Sequence, residues 1–181
     1  MTKLEIREQY LQKRNSLSAE DRWEIEQYVF DKVLDIISRK SCGTVHCYIG
    51  NPEKDEFPTL QLIEKIWLRN IQVCAPRMDK GRKLNSYLIH SDSKLELHPF
   101  GILEPPPLHF IDAANIDLVL VPLLVHDHNL HRLGYGGGYY DRYLPTCSNA
   151  YKLGMSYFEP IAAIPDVEAT DVALDEVVWK V

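Results

Sequence analysis

The sequence predicts an α/β protein: one domain over residues 1–181, with an N-terminal helical pair and a mainly parallel central sheet flanked by helices. Three observations lead there. Residues 3–37 carry helical spacing with a start signal near their middle. From Gly43 onward, short apolar runs alternate with turn residues and a helical segment. Residues 117–122, Asp-Leu-Val-Leu-Val-Pro, form a nearly unbroken apolar run, the pattern of a strand covered on both faces.

Each element follows from its residues. Residues 3–14 are strong helix formers without Gly or Pro. Ser18 followed by Asp21 resembles a helix start, and Trp23, Val29, Val33, Leu34 and Ile37 then fall on one expected buried face. Residues 44–49 read as a strand ending at Gly50. Pro58 opens a helix to Asn70, with Leu62, Ile63 and Ile66 inward. Residues 71–75 form the next strand, stopped by Pro76; residues 83–89 form another. Residues 138–144 begin a helix, and residues 151–156 return to strand. In such sheets ligands collect beyond the carboxyl ends of the strands, and the segment after Pro122 is such a place.

Composition narrows the function. The 181 residues suffice for one core and would crowd two. The net charge, 20 − 26 = −6, disfavours nucleic acid and acidic membrane as partners, yet leaves room for a local basic pocket. Four cysteines without a Cys-x-x-Cys pair read as reduced thiols. No apolar run reaches the roughly 18 residues of a membrane helix, and the first residues are charged. A cytoplasmic monomer is expected.

The chemistry concentrates in Arg132-Leu133-Gly134-Tyr135-Gly136-Gly137-Gly138-Tyr139-Tyr140-Asp141-Arg142. Its glycines let backbone amides curl around an anion, and the helix that follows offers its N-terminus. Arg132 can clamp phosphate oxygens, and Asp141 can hold magnesium. The run is neither a Walker loop nor Gly-x-Gly-x-x-Gly, since Tyr139 stands in the third glycine's place. On composition alone a plain glycine-rich turn explains it equally well.

His126, Asp127, His128 and His131 raise a rival, a metal-dependent hydrolase. Leu130 stands where the familiar His-x-His-x-Asp-His spacing needs aspartate, and such loop histidines are more often surface residues. A noncatalytic nucleotide-binding module is a second rival. Lys3 and Arg7, one turn apart, ordinarily mark a solvated helix face. Glu56 would ordinarily be an exposed acid at a helix start, and Glu104 an exposed loop residue.

The glycine segment resembles the signature of 5-formyltetrahydrofolate cyclo-ligases, and other elements agree in order. They are Lys3 with Arg7, Glu56-Phe57-Pro58-Thr59, Pro76-Arg77, Phe100-Gly101-Ile102-Leu103-Glu104-Pro105 and Asp175-Glu176-Val177. The resemblance implies ATP as co-substrate, Mg2+, and closure of 5-formyltetrahydrofolate to 5,10-methenyltetrahydrofolate. It implies that Lys3, Arg7, Arg132 and the backbone of Gly134, Tyr135, Gly136, Gly137, Gly138, Tyr139 and Tyr140 hold ATP. It places Glu56, Glu104, Tyr139 and Tyr140 near the folate, Asp141 and Asp175 on the metal, and Arg132 and Tyr140 at the chemistry. Two positions depart from the pattern: His126 replaces the usual Phe and Leu130 the usual Gly, which predicts a different course for the loop before Arg132.

Overall fold

The computed structural model describes residues 1–180. Helix α1 (Lys3–Asn15) starts on a capping box: Thr2 Oγ1 accepts the Glu5 N–H, and the Glu5 carboxylate accepts the Thr2 N–H. Helix α2 (Ala19–Arg39) is capped by Ser18 and buries Glu26, Val29, Phe30, Val33, Leu34, Ile36 and Ile37. Trp23, expected inward, is 61% exposed. It lies one turn before the buried stripe begins, and Glu26 takes the first core-facing position, accepting a hydrogen bond from the Tyr157 hydroxyl at 2.7 Å.

Strand β1 (Thr44–Cys47) leads through a turn to α3 (Thr59–Trp67), shorter than expected at both ends. Pro58 stands just before it, at the N-cap position, and makes no side-chain cap hydrogen bond. Then come β2 (Gln72–Asp79), β3 (Lys83–Ile89), β4 (Glu96–Leu97), β5 (Leu103–Glu104) and β6 (Phe110–Ile111). Pro76 does not stop β2. Its pairing with β1 ends at Cys74, so beyond that point β2 has a partner only in β3, and an edge tolerates a missing N–H.

Strand β7 (Leu118–Val121) is wholly buried, as its composition requires. A two-strand hairpin, β8 (Val125–His126) with β9 (Arg132–Leu133), follows it. The chain continues into α4 (Tyr139–Tyr143), β10 (Tyr151–Met155) and β11 (Glu176–Val178). The main sheet has the order β11-β10-β7-β1-β2-β3-β6; the first five strands are parallel, while β3 and β6 run against their neighbours. Helices α2 and α3 pack with one face of this sheet in the largest core cluster, and α4 packs with the other. Among the described residues no helix is long and apolar enough to cross a membrane.

Candidate active site

The carboxyl ends of β1, β2 and β7 open on a cleft of about 980 Å³. At the exit of β1, Thr59 Oγ1 donates to the Tyr48 carbonyl at 2.7 Å and accepts the Gly50 N–H at 2.8 Å. The same turn pins Glu56, whose Oε2 accepts the Asn51 N–H at 2.8 Å. Past the end of β2's pairing with β1, Glu104 accepts the Met78 N–H at 2.8 Å and is only 4% exposed. Glu104 is therefore a buried residue of β5, not an exposed loop acid. Arg77 fastens the β4–β5 hairpin by donating to the Glu96 carboxylate and the Pro105 carbonyl.

The opposite wall is the glycine segment. Arg7 Nε donates to the Gly134 carbonyl at 2.8 Å, tying α1 to the loop. Gly136 sits at φ 89°, and a Cβ there would meet the Arg7 guanidinium at 3.3 Å. Gly138, at φ 65°, is the N-cap of α4, where a Cβ would come within 2.5 Å of Arg142 Nη1. Both positions favour glycine for their positive φ; the arginine ends beside them could shift to admit a Cβ. Helix α4 has only five residues, so it offers backbone amides rather than the dipole a longer helix would supply.

Arg132 is fixed by the β8–β9 hairpin and is almost wholly enclosed. It donates to the Val172 carbonyl at 2.5 Å and to Asp141 Oδ1 at 2.7 Å. Lys3 Nζ lies 3.0 Å from Asp171 Oδ2. Burial raises the Asp171 pKa, but the Glu168 N–H and the Lys3 ammonium outweigh it, so the net shift is downward. Lys3, Arg7, Lys54, Arg132 and Arg142 all line the cleft, as do Asp141 and Asp171.

Tyr135, Tyr139 and Tyr140 also face this space. The Tyr135 hydroxyl accepts from Arg14 Nη2 at 2.6 Å; burial and the Glu56 carboxylate hold its phenol well above the ordinary range. Burial does the same to Tyr140, whose hydroxyl is 3.2 Å from His46 Nε2.

Most of the residues singled out in the sequence therefore meet here. Asp175 does not. Its Oδ2 accepts the Lys152 N–H at 2.7 Å at the start of β10, the opposite end of the parallel strands from the cleft. Asp171, four residues earlier, reaches the cleft instead, and nothing local in the sequence separates the two. Arg14 was also passed over, although it stands two helical turns after Arg7. His46 had a signal too: it is the one basic side chain inside an otherwise mostly apolar strand.

The histidine loop brings no ligand set together. Asp127 accepts the N–H groups of Asn129, His131 and Ile164 at 2.9, 2.9 and 3.0 Å, with the His131 ring Nδ1 3.5 Å from its Oδ2. His126 lies against Trp179, ring centroids 5.0 Å apart. Among the described residues no group of three His, Cys, Asp or Glu side chains is placed to hold a metal by itself. Leu130 adopts φ 64°, the left-handed region that glycine favours. The loop thus keeps a backbone conformation suited to glycine and places the steric cost on leucine.

An open, mainly parallel sheet with cations, glycine amides and carboxylates at the carboxyl ends of its strands has the architecture of α/β proteins that bind small molecules there. The family model described as the 5-formyltetrahydrofolate cyclo-ligase family matches residues 1–180, and the chain belongs to that family. A 5-formyltetrahydrofolate cyclo-ligase of Haemophilus influenzae is 28% identical over 161 residues, 84% of each chain. The solution structure of Aquifex aeolicus 5,10-methenyltetrahydrofolate synthetase superposes with a TM-score of 0.83 at 29% identity, covering 98% of this chain and 89% of that one. A 5,10-methenyltetrahydrofolate synthetase from Mycoplasma pneumoniae shares the fold, with a TM-score of 0.76 at 23% identity and 99% of both chains covered.

Proposed function

We propose that this protein converts 5-formyltetrahydrofolate and ATP to 5,10-methenyltetrahydrofolate, ADP and phosphate. The observation that carries the reading is that one cleft brings Lys3, Arg7, Arg132 and the glycine loop opposite Glu56 and Glu104. Its volume is at the upper end of small-molecule sites, as room for two substrates requires.

The formyl oxygen is a poor leaving group until it carries the γ-phosphoryl of ATP. The neighbouring folate nitrogen then attacks the formyl carbon and gives up its proton, and the C–O bond to phosphate breaks. No protein nucleophile is needed; the side chains position the reactants and stabilise charge. Lys3, Arg7 and Arg132 hold phosphate oxygens, with backbone amides of residues 134–140 around them. Glu56 accepts hydrogen bonds from pterin nitrogens, Glu104 stiffens the folate side, and Tyr139 and Tyr140 border the formyl group.

Asp141 and Asp171 fit Mg2+, which takes one or two carboxylates together with substrate phosphates. The ion would neutralise charge on the transferring phosphoryl group. Arg132 and Lys3 pair with these two carboxylates, so an ion bound there would leave both cations available to phosphate oxygens. The same reading takes the protein as a cytoplasmic monomer, in keeping with its net charge of −6.

The test is absorbance of methenyltetrahydrofolate. It is expected only when protein, ATP, magnesium and 5-formyltetrahydrofolate are combined; appearance without ATP, or absence with all four, would refute the proposal. Asp141→Asn and Asp171→Asn should each lower turnover at least tenfold and raise the magnesium requirement. Asp175→Asn should leave the magnesium requirement unchanged, as magnesium titrations of the three variants will show.

A further inference from the structure

Behind Tyr140 a chain of hydrogen bonds runs from the cleft into the core. His46 Nε2 is 3.2 Å from the Tyr140 hydroxyl. On the other side of the ring, Nδ1 lies 2.9 Å from Ser86 Oγ and 3.3 Å from the Tyr143 hydroxyl. Ser86 Oγ and the Tyr143 hydroxyl are themselves 2.5 Å apart. His46 is 0% exposed and Ser86 1%, so bulk water does not reach the set.

Counting protons fixes the direction of this chain. Ser86 and Tyr143 bring two hydroxyl protons to a triangle of three atoms. One is used between the two hydroxyls. The other has Nδ1 as its strong acceptor, since the thiols of Cys74 and Cys147 nearby offer only sulfur, a weak one. If Nδ1 carried hydrogen, that second hydroxyl proton would be buried without a good partner, which is costly. Burial also holds the imidazole neutral, down to about 3, so the ring carries one hydrogen.

We infer that His46 is a positioning residue whose Nε2–H donates to the Tyr140 oxygen and thereby turns the Tyr140 hydroxyl proton outward, into the cleft. Tyr140 is then a fixed hydrogen-bond donor. On the reaction proposed above, on which this rests, the acceptor is the formyl oxygen as it takes up the phosphoryl group. A donor locked before the substrate arrives costs no reorganisation during the reaction. The reverse tautomer would make Nε2 an acceptor, and the Tyr140 proton would point into the core. Ser86 and Tyr143 therefore set, through one imidazole, what the cleft presents about two residues away.

Two measurements test this. Long-range 1H–15N correlation spectra of the parent protein should show His46 neutral with hydrogen on Nε2; hydrogen on Nδ1, or a cationic ring, would overturn the inference whatever the protein catalyses. In steady-state assays His46→Leu should lower kcat about tenfold, the worth of one hydrogen bond, with each KM changed less than threefold. His46→Gln, whose amide N–H can replace Nε2–H, should recover most of that loss. In a Tyr140→Phe background, His46→Leu should cause no further fall in kcat. Equal losses in both backgrounds, or no recovery with Gln, would assign His46 to packing alone. A parent without methenyl-forming activity would refute the proposed reaction and leave the tautomer to be judged by the spectrum.

Discussion

Two histidines are sealed from solvent in this fold, His46 at 0% and His126 at 1% exposure, and their surroundings could hardly differ more. Both ring nitrogens of His46 face hydroxyl groups; neither nitrogen of His126 has a hydrogen-bond partner. His46 sits in the middle of the sheet, where β1 is flanked by β2 and β7 and three polar side chains converge. His126 lies in a two-residue strand of a hairpin, against the face of Trp179. The same side chain is thus a hydrogen-bonded support behind the cleft in one place and an uncompensated desolvation cost in the other. Burial alone says little about a polar residue. Its partners decide whether it is a device or a burden.

The contrast breaks most sharply at His46. Replacing it with leucine leaves the Tyr140, Ser86 and Tyr143 hydroxyls short of a partner in a closed site. Stability should fall by about 3 kcal/mol, read from urea denaturation midpoints. A loss below about 1 kcal/mol would mean the network contributes little.

Acid should separate the two residues next. Burial pushes His126 down to about 4, with Asp127 opposing and His128 adding to the shift. Its folded pKa lies below the unfolded value near 6.5. Between those values the unfolded chain binds more protons, so stability is complete above about 6.5 and is lost as pH falls toward 4. His46, down to about 3, follows the same sign and loses over a wider range. At pH 4.5 a His126→Phe protein should retain about 2 kcal/mol more of its neutral-pH stability than the parent. Carboxylate titration affects both proteins and cancels in the comparison. Parallel stability curves from pH 7 to 4.5 would show that His126 is hydrated after all.

The smallest effect is expected at neutral pH. There His126→Phe removes two unpartnered nitrogens while keeping an aromatic ring against Trp179, and should stabilise by about 1 kcal/mol. Thermal melts of parent and variant at pH 7.5 will check it.

The elements that were legible in the sequence are those whose cause is local. The run of helix formers in α1, the capped start of α2, the glycines of residues 134–138 and the apolar run of β7 all announce themselves within a few residues. The errors came where a distant partner decides. Pro76 sits inside β2 because β1 withdraws from it, and Trp23 is exposed because the buried stripe begins a turn later. Leu130 keeps a glycine-like backbone because Asp127 receives three N–H groups around it, a pattern invisible from the residue types alone.

By itself the sequence determined an α/β sheet protein with a glycine-rich segment after its most apolar strand and basic residues beside it. Periodicity, caps and backbone freedom are properties of neighbouring residues. Only the tertiary structure decided which carboxylates share the cleft, because Asp171 and Asp175 differ by which end of the strands they reach. Only it showed that His46, Ser86, Tyr140 and Tyr143, up to 97 positions apart in the chain, form one hydrogen-bonded group. Hydrogen bonds act over about 3 Å, and in a folded chain that distance bears no relation to separation along the sequence.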